Sequence, residues 1–280
     1  MAVFYGVLAA IAFGTNDWSA MRARRGATSR QVVATGLAGA GALMIVVALI
    51  WPGDWNTRSV LIGAASGLGA CTALSLITWA FSVAPMGVGS PANAVVSSSI
   101  PVMWDVINGR PFGGWAIVGV SIGIMAVLMT SYAPGGEGRT ILGLLLGAAS
   151  GLAIGSAFVV MSYADRDSGV WPVAAQRTTG FAVLALLALA RRETVFAPIG
   201  PKLWLGPRLI SILSAQCAAL GVVALLAGYR TGQLAPTGIA SSQSAAVGVV
   251  LAAMFDQQRL RWWQTIGLTF AALGVALMAV

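Results

Sequence analysis

The chain has 280 residues, 58% of them hydrophobic and 9% charged, with a mean hydropathy of +0.86. A soluble globular chain carries about 25% charged residues, so this composition excludes a soluble domain and predicts an integral membrane protein. The net charge is +8, but the basic residues are scattered through short segments between apolar spans, which excludes a nucleic-acid partner.

Ten apolar spans follow in order: Ala2–Met21, Val32–Trp51, Ser59–Val83, Val88–Ile107, Gly114–Tyr132, Thr140–Tyr163, Trp171–Ala190, Leu205–Gly228, Leu234–Phe255 and Trp262–Val280. At 1.5 Å per residue, about 20 residues cross the hydrocarbon core, so each is read as a transmembrane helix. The first span lacks a basic leader and is followed by arginines, so it reads as a retained helix and not a cleaved signal. Trp51-Pro52-Gly53-Asp54, Asn108-Gly109-Arg110-Pro111, Ala133-Pro134-Gly135-Gly136 and Ile199-Gly200-Pro201-Lys202 supply turn chemistry between spans. Trp51, Trp55, Trp115, Trp171, Trp204, Trp262 and Trp263 fall near span ends, as an interfacial aromatic belt does. Cys71 and Cys217 lie deep in spans and read as small core residues. The chain has no histidine, the usual metal ligand and general base.

The fourth span is unusual. It carries Asn93, the run Ser97-Ser98-Ser99, Pro101 and Asp105. Such groups are tolerated in a membrane when they face protein or a water-filled cavity, so this helix is expected to face inward. The ninth span is similar: Pro236 follows Pro91, and Ser241, Ser242 and Gln243 follow the serine run. Paired weakly hydrophobic helices in corresponding halves point to a transporter's binding site. Close helix packing is the alternative use of small residues.

Other landmarks repeat as well. Gly6 and Gly14 match Gly147 and Gly155, Thr35-Gly36 matches Thr179-Gly180, Cys71 matches Cys217, and Trp115-x-x-x-Gly119 matches Trp263-x-x-x-Gly267, all about 145 residues apart. A duplicated unit of five helices is odd in number, so the two copies must enter the membrane in opposite senses, the build of an alternating-access transporter. The expected fold is an all-α polytopic membrane protein with two inverted five-helix repeats, residues 1–133 and 138–280. Arg22, Arg24, Arg25, Arg30, Arg139, Arg191, Arg192, Lys202, Arg208, Arg259 and Arg261 fall on one side, against Arg58, Arg110, Arg166 and Arg230 on the other. The positive-inside rule puts the larger set in the cytoplasm and both termini outside.

With these landmarks the chain resembles the drug/metabolite transporter superfamily, specifically bacterial EamA-type permeases with ten helices in two repeats. Phe13-Gly14-Thr15-Asn16-Asp17-Trp18 looks like the family's first-helix motif, Gln176-Arg177-Thr178 matches an arginine usual in helix 7, and Ser97–Pro101 and Ser241-Ser242 match its helix 4 and helix 9 segments. There are departures. Helix 9 ends Gln257-Gln258-Arg259 where the family has Gly-Glu-Arg, Ala245 replaces the helix 9 proline, and Val33 stands for an arginine of helix 2. The resemblance implies a bacterial inner-membrane location, both termini in the cytoplasm against the arginine count, and export.

Asp17 has Gly14, Phe13, Ala10 and Gly6 on its own helix face, a stripe suited to packing, so it is expected to face the bundle. It is a candidate proton-coupling or amine-binding carboxylate, and a structural ion pair is the other reading. Asp105 is the second proton-coupling candidate, with solvation at its helix end as the alternative. Arg177 reads as a structural charge that pairs or snorkels, or else binds an anionic group. Asn16, Trp79, Asn93, Ser97, Gln216 and Gln243 are the candidate substrate contacts, Trp79 as a stacking wall. No HExxH, Walker or nucleophile-elbow motif in a catalytic setting occurs, so no enzyme activity, metal or cofactor is expected. The predicted function is secondary transport of a small amino-acid-like or drug-like metabolite, with the bilayer as surroundings and a proton as candidate coupling ion. A passive channel and an intramembrane lipid-modifying enzyme are the rival classes. Monomer and homodimer both stay open.

Overall fold

A computed structural model describes residues 1–84, 86–109, 114–131, 140–200, 206–231, 234–256 and 262–278. The proposed boundary between 133 and 138 and parts of the loop motifs at 110–111, 133–136, 201–202 and 257–259 lie outside the described residues. The helices are α1 (Ala2–Ala23), α2 (Ser29–Ile50), α3 (Thr57–Val83), α4 (Met86–Ile107), α5 (Gly114–Ser131), α6 (Thr140–Met161), α7 (Trp171–Ala190), α8 (Pro207–Tyr229), α9 (Leu234–Ser242), α10 (Ser244–Phe255) and α11 (Trp262–Met278). Six spans are long and apolar enough to cross a membrane by length and composition, with Leu234–Phe255 taken as one. Leu49, Leu61, Leu145, Leu186, Leu189 and Leu220 are all more than half exposed. Water would not tolerate so many exposed leucines on one small protein, whereas lipid tails do. The chain is a multi-pass membrane protein.

The ninth span is broken at Gln243, where the sequence predicts one continuous helix. Ser241 Oγ donates to the Gly238 carbonyl and Ser242 Oγ to the Ile239 carbonyl, both at 2.7 Å. The Gln243 N–H reaches back only three residues, to Ala240. Ser97, Ser98 and Ser99 back-bond in the same way and leave α4 unbroken, so the hydroxyls accompany the break without by themselves accounting for it. Pro101 does not break α4. The Ser97 carbonyl, which Pro101 cannot bond, is turned toward α6, where a Cβ on Gly155 would stand 2.9 Å from it.

Helix pairings come in matching sets. α1 packs on α8 as α6 packs on α3; α1 packs on α9 and α10 as α6 packs on α4; α2 meets α8 as α7 meets α3. The pairs α2–α7 and α5–α11 complete the bundle. Small residues make these contacts possible. A Cβ at Gly6 would stand 2.7 Å from the Thr237 carbonyl oxygen, and one at Gly14 would stand 2.6 Å from that of Ser244. A Cβ at Gly147 would strike the backbone of Gly89, and one at Gly63 the backbone of Pro172. Without a hydrophobic driving force between helices in lipid, such close backbone approach is what gains dispersion energy.

The bundle end that holds the α6–α7 connection is tied by hydrogen bonds. Asp165 accepts from Asn56 Nδ2 at 2.7 Å and from Ser59 Oγ at 3.2 Å, joining that connection to the start of α3. Arg230 Nη2 donates to the Asp165 carbonyl at 3.0 Å, adding the end of α8. At the other end, Thr28 and Gln31 form a capping box on α2, and Asp256 accepts from Trp18 Nε1 at 2.8 Å, tying α10 to α1.

Candidate functional site

A cavity of about 110 Å³ lies within the bundle, and a second of about 50 Å³ adjoins it toward the α1–α2 turn. They share Asn16, Asp17, Leu74, Ile77, Arg177 and Ala218 as walls, so they are neighbours that meet around these residues, and together they are termed the central passage. The inner part is walled by α1, α3, α4, α6, α7, α8, α9 and α10, and the outer part ends beside Arg24.

Of the residues expected at the site, Asn16, Asp17, Asn93, Ser97 and Arg177 line this passage. Four do not line it. Trp79 is 51% exposed, because the inward face of α3 is set by Ala70, Ala73, Leu74 and Ile77, and Trp79 falls on another face. Gln216 is not a wall residue although Ala218 and Val222 of the same helix are. Gln243 is buried at the α9–α10 break and lines neither part of the passage. Asp105 is buried at the far end of α4, away from the passage. Its Oδ2 accepts the N–H groups of Leu234 and Ala235, both at 2.8 Å. A carboxylate at that position caps α9, where its charge also suits the positive end of the helix dipole.

Within the passage Asp17 accepts from Asn16 Nδ2 at 3.0 Å. Arg177 is 3% exposed, donates through Nη2 to the Ala218 carbonyl at 2.8 Å, and leaves Nε without a partner. No ion pair within 4.0 Å joins Asp17 to Arg177 among the described residues. An acid and a guanidinium thus face one apolar-walled space without direct neutralisation, and both retain capacity for a ligand. Buried charge is costly unless paired, so this arrangement is not one that stability alone favours. Asn93 Oδ1 is also buried and bare. The serines contribute less than their sequence suggests: Ser97, Ser98 and Ser99 each turn their hydroxyl back to a carbonyl of α4. Burial lowers the Arg24 guanidinium from its usual value; at Arg230 burial does the same, helped by Arg166 and opposed by Asp167.

Several wall residues were not singled out from sequence. Gln176 donates to Ser66 Oγ at 2.8 Å, and Ser66 in turn donates to the Ala157 carbonyl at 2.8 Å, linking α7, α3 and α6 beside the cavity. Ser150 donates to the Ala73 carbonyl at 2.8 Å. Phe158 stacks on Phe13 with centroids 5.9 Å apart. The repeat offset held the signal for Phe158, since it is the position matching Asp17 in the second half. Among the described residues no cluster of three His, Cys, Asp or Glu stands ready to hold a metal.

The fold, with polar groups gathered in an otherwise apolar cavity, defines a helical membrane protein. The family model described as "EamA-like transporter family" matches residues 141–280, and the chain belongs to that family. It is a membrane transporter of the drug/metabolite type. A solved structure titled only "Crystal structure of protein" is similar over 100% of this chain and 98% of its own, with a TM-score of 0.80 and 17% identity. That likeness establishes the fold alone. No curated protein matches the chain.

Proposed function

We propose that the protein is a secondary active transporter that carries a small metabolite through the central passage by alternating access. The observation that carries this reading is Asp17 and Arg177 lining one cavity with no ion pair between them among the described residues, and Asn16, Asn93 and Ser97 around them. Such a site suits a solute that bears a cationic amine and an anionic group, so we take the substrate to be amino-acid-like. The matching helix pairings and the spacing of the repeated landmarks support two inverted five-helix repeats, 1–133 and 138–280. Asp17 is assigned as the proton-coupling acid: with Asp105 committed to capping α9, it is the acid that faces the passage. Family membership supports a bacterial inner-membrane location and export.

The test is counterflow into proteoliposomes preloaded with single amino acids and amines, one solute at a time. Accelerated exchange of a zwitterion, reduced in Arg177→Gln, is expected. Exchange of none of the amino acids or amines would refute the substrate class, and ion conductance without exchange would favour a channel.

A further inference from the structure

We propose that the chamber at the opposite end of the bundle is a second ligand site, one that takes a small organic ammonium. This chamber, of about 400 Å³, is bounded by the end of α4, the segment after α6, the end of α8 and the start of α9, and shares no wall residue with the central passage. Its binding capacity is independent of whether the central passage carries solute.

Two buried oxygens in its wall lack partners. Asp105 is 1% exposed, and while its Oδ2 holds two backbone N–H groups of α9, its Oδ1 has none. Tyr229 is 5% exposed and its hydroxyl is likewise bare. A buried acceptor without a donor is costly, and a carboxylate oxygen more so than a neutral one. The Asp105 oxygen calls for an N–H or O–H donor and its charge favours a cationic one, while the Tyr229 hydroxyl can accept a further N–H beside it. The chamber also holds an aromatic corner. Trp104 and Tyr163 meet edge to face with centroids 6.1 Å apart, and the electron-rich faces of such rings attract a cation.

The neighbouring charges leave this preference intact. Asp165 is part exposed, its Oδ2 held by Asn56 and Ser59 and its Oδ1 3.6 Å from Arg58, so the buried acidic oxygen left open is that of Asp105. Arg230 is drawn to the Asp165 and Gly169 carbonyls through Nη2, at 3.0 and 3.4 Å, which turns its charge toward those carbonyls. A hard metal ion is a poor occupant, since it takes six or more oxygens and a single carboxylate oxygen and a phenol fall well short.

The experiment uses the purified full chain in detergent with Cys71→Ala, Cys217→Ala and Asn108→Cys. Asn108 is an exposed wall residue of the chamber, so a thiol there reports its occupancy. Maleimide labelling is timed in propylammonium chloride, in sodium chloride and in sodium propionate at equal ionic strength. Propylammonium is expected to slow labelling several-fold, and the two sodium salts to leave it unchanged. Tyr229→Phe removes a hydroxyl that makes no bond within the protein, so folding is not at stake; it should raise the propylammonium needed for half protection about tenfold. Asp105→Asn keeps an oxygen for the α9 cap and should abolish protection. Asp17→Asn, in the other cavity, should leave protection unchanged. Equal labelling in propylammonium and sodium chloride would overturn the site, as would protection by propionate. So would protection that survives both Tyr229→Phe and Asp105→Asn, or protection lost in Asp17→Asn.

Discussion

Asp105 is the residue on which the two ends of the α4–α9 contact depend, and its replacement by alanine has a calculable cost. Asp105→Ala removes the single oxygen that accepts from Leu234 N and Ala235 N. Both N–H groups lie in residues that are buried, so water is a poor substitute. A hydrogen bond to a charged group contributes about 1.5–3 kcal/mol, and a lost N-cap costs about 1–2 kcal/mol. The two bonds share one oxygen and do not add fully, so the loss should be about 2–4 kcal/mol. Asp105→Asn retains an acceptor and forfeits mainly the interaction with the helix dipole, about 1 kcal/mol. A chain of this size shifts its midpoint by about 2 °C per kcal/mol, so alanine should lower the unfolding temperature by about 4–8 °C and asparagine by about 2 °C. The assay is thermal unfolding in detergent followed by circular dichroism. Midpoints for alanine and asparagine that coincide would refute the capping role.

Three further outcomes are expected. Asp17→Asn should leave the protein folded but abolish solute accumulation driven by a pH gradient, with exchange at equilibrium weakened yet still measurable because Arg177 and Asn93 remain; accumulation that persists in vesicles would remove Asp17 from coupling. Gly147→Ala places a methyl against the backbone of Gly89 and should cost about 1–3 kcal/mol, whereas Gly114→Ala, with nothing among the described residues within 4 Å of its Cβ, should be neutral or slightly stabilising; equal thermal midpoints would contradict the packing. Cysteine at Asn93 should be protected from a thiol reagent by a transported solute, and cysteine at Trp79 should not, which labelling of the two single-cysteine proteins compares directly.

The transmembrane helices were legible because hydropathy and helix length are both set by the bilayer, and Asn16, Asn93 and Arg177 stood out as polar groups in apolar runs. What escaped detection was direction. α3 is apolar nearly all round, so its sequence gives no sign that Ile77 points inward and Trp79 outward. The role of Asp105 was hidden because its partners lie 129 and 130 residues away in the chain. The break at Gln243 went unmarked because the serines before it bond back to carbonyls just as those of the unbroken α4 do.

The glycine seams have a consequence for how such a chain can change over time. Where Gly147 meets Gly89, or Gly63 meets Pro172, the partner helix demands only that no side chain be present. Where Leu61 or Leu186 meets lipid, the surroundings demand only that the side chain be oily. Neither demand specifies much of the alphabet, so the text of the chain is free to drift while its spacing is not. A fold kept by omissions and by solvent can be shared across its whole length by chains only 17% identical, as it is with the solved structure.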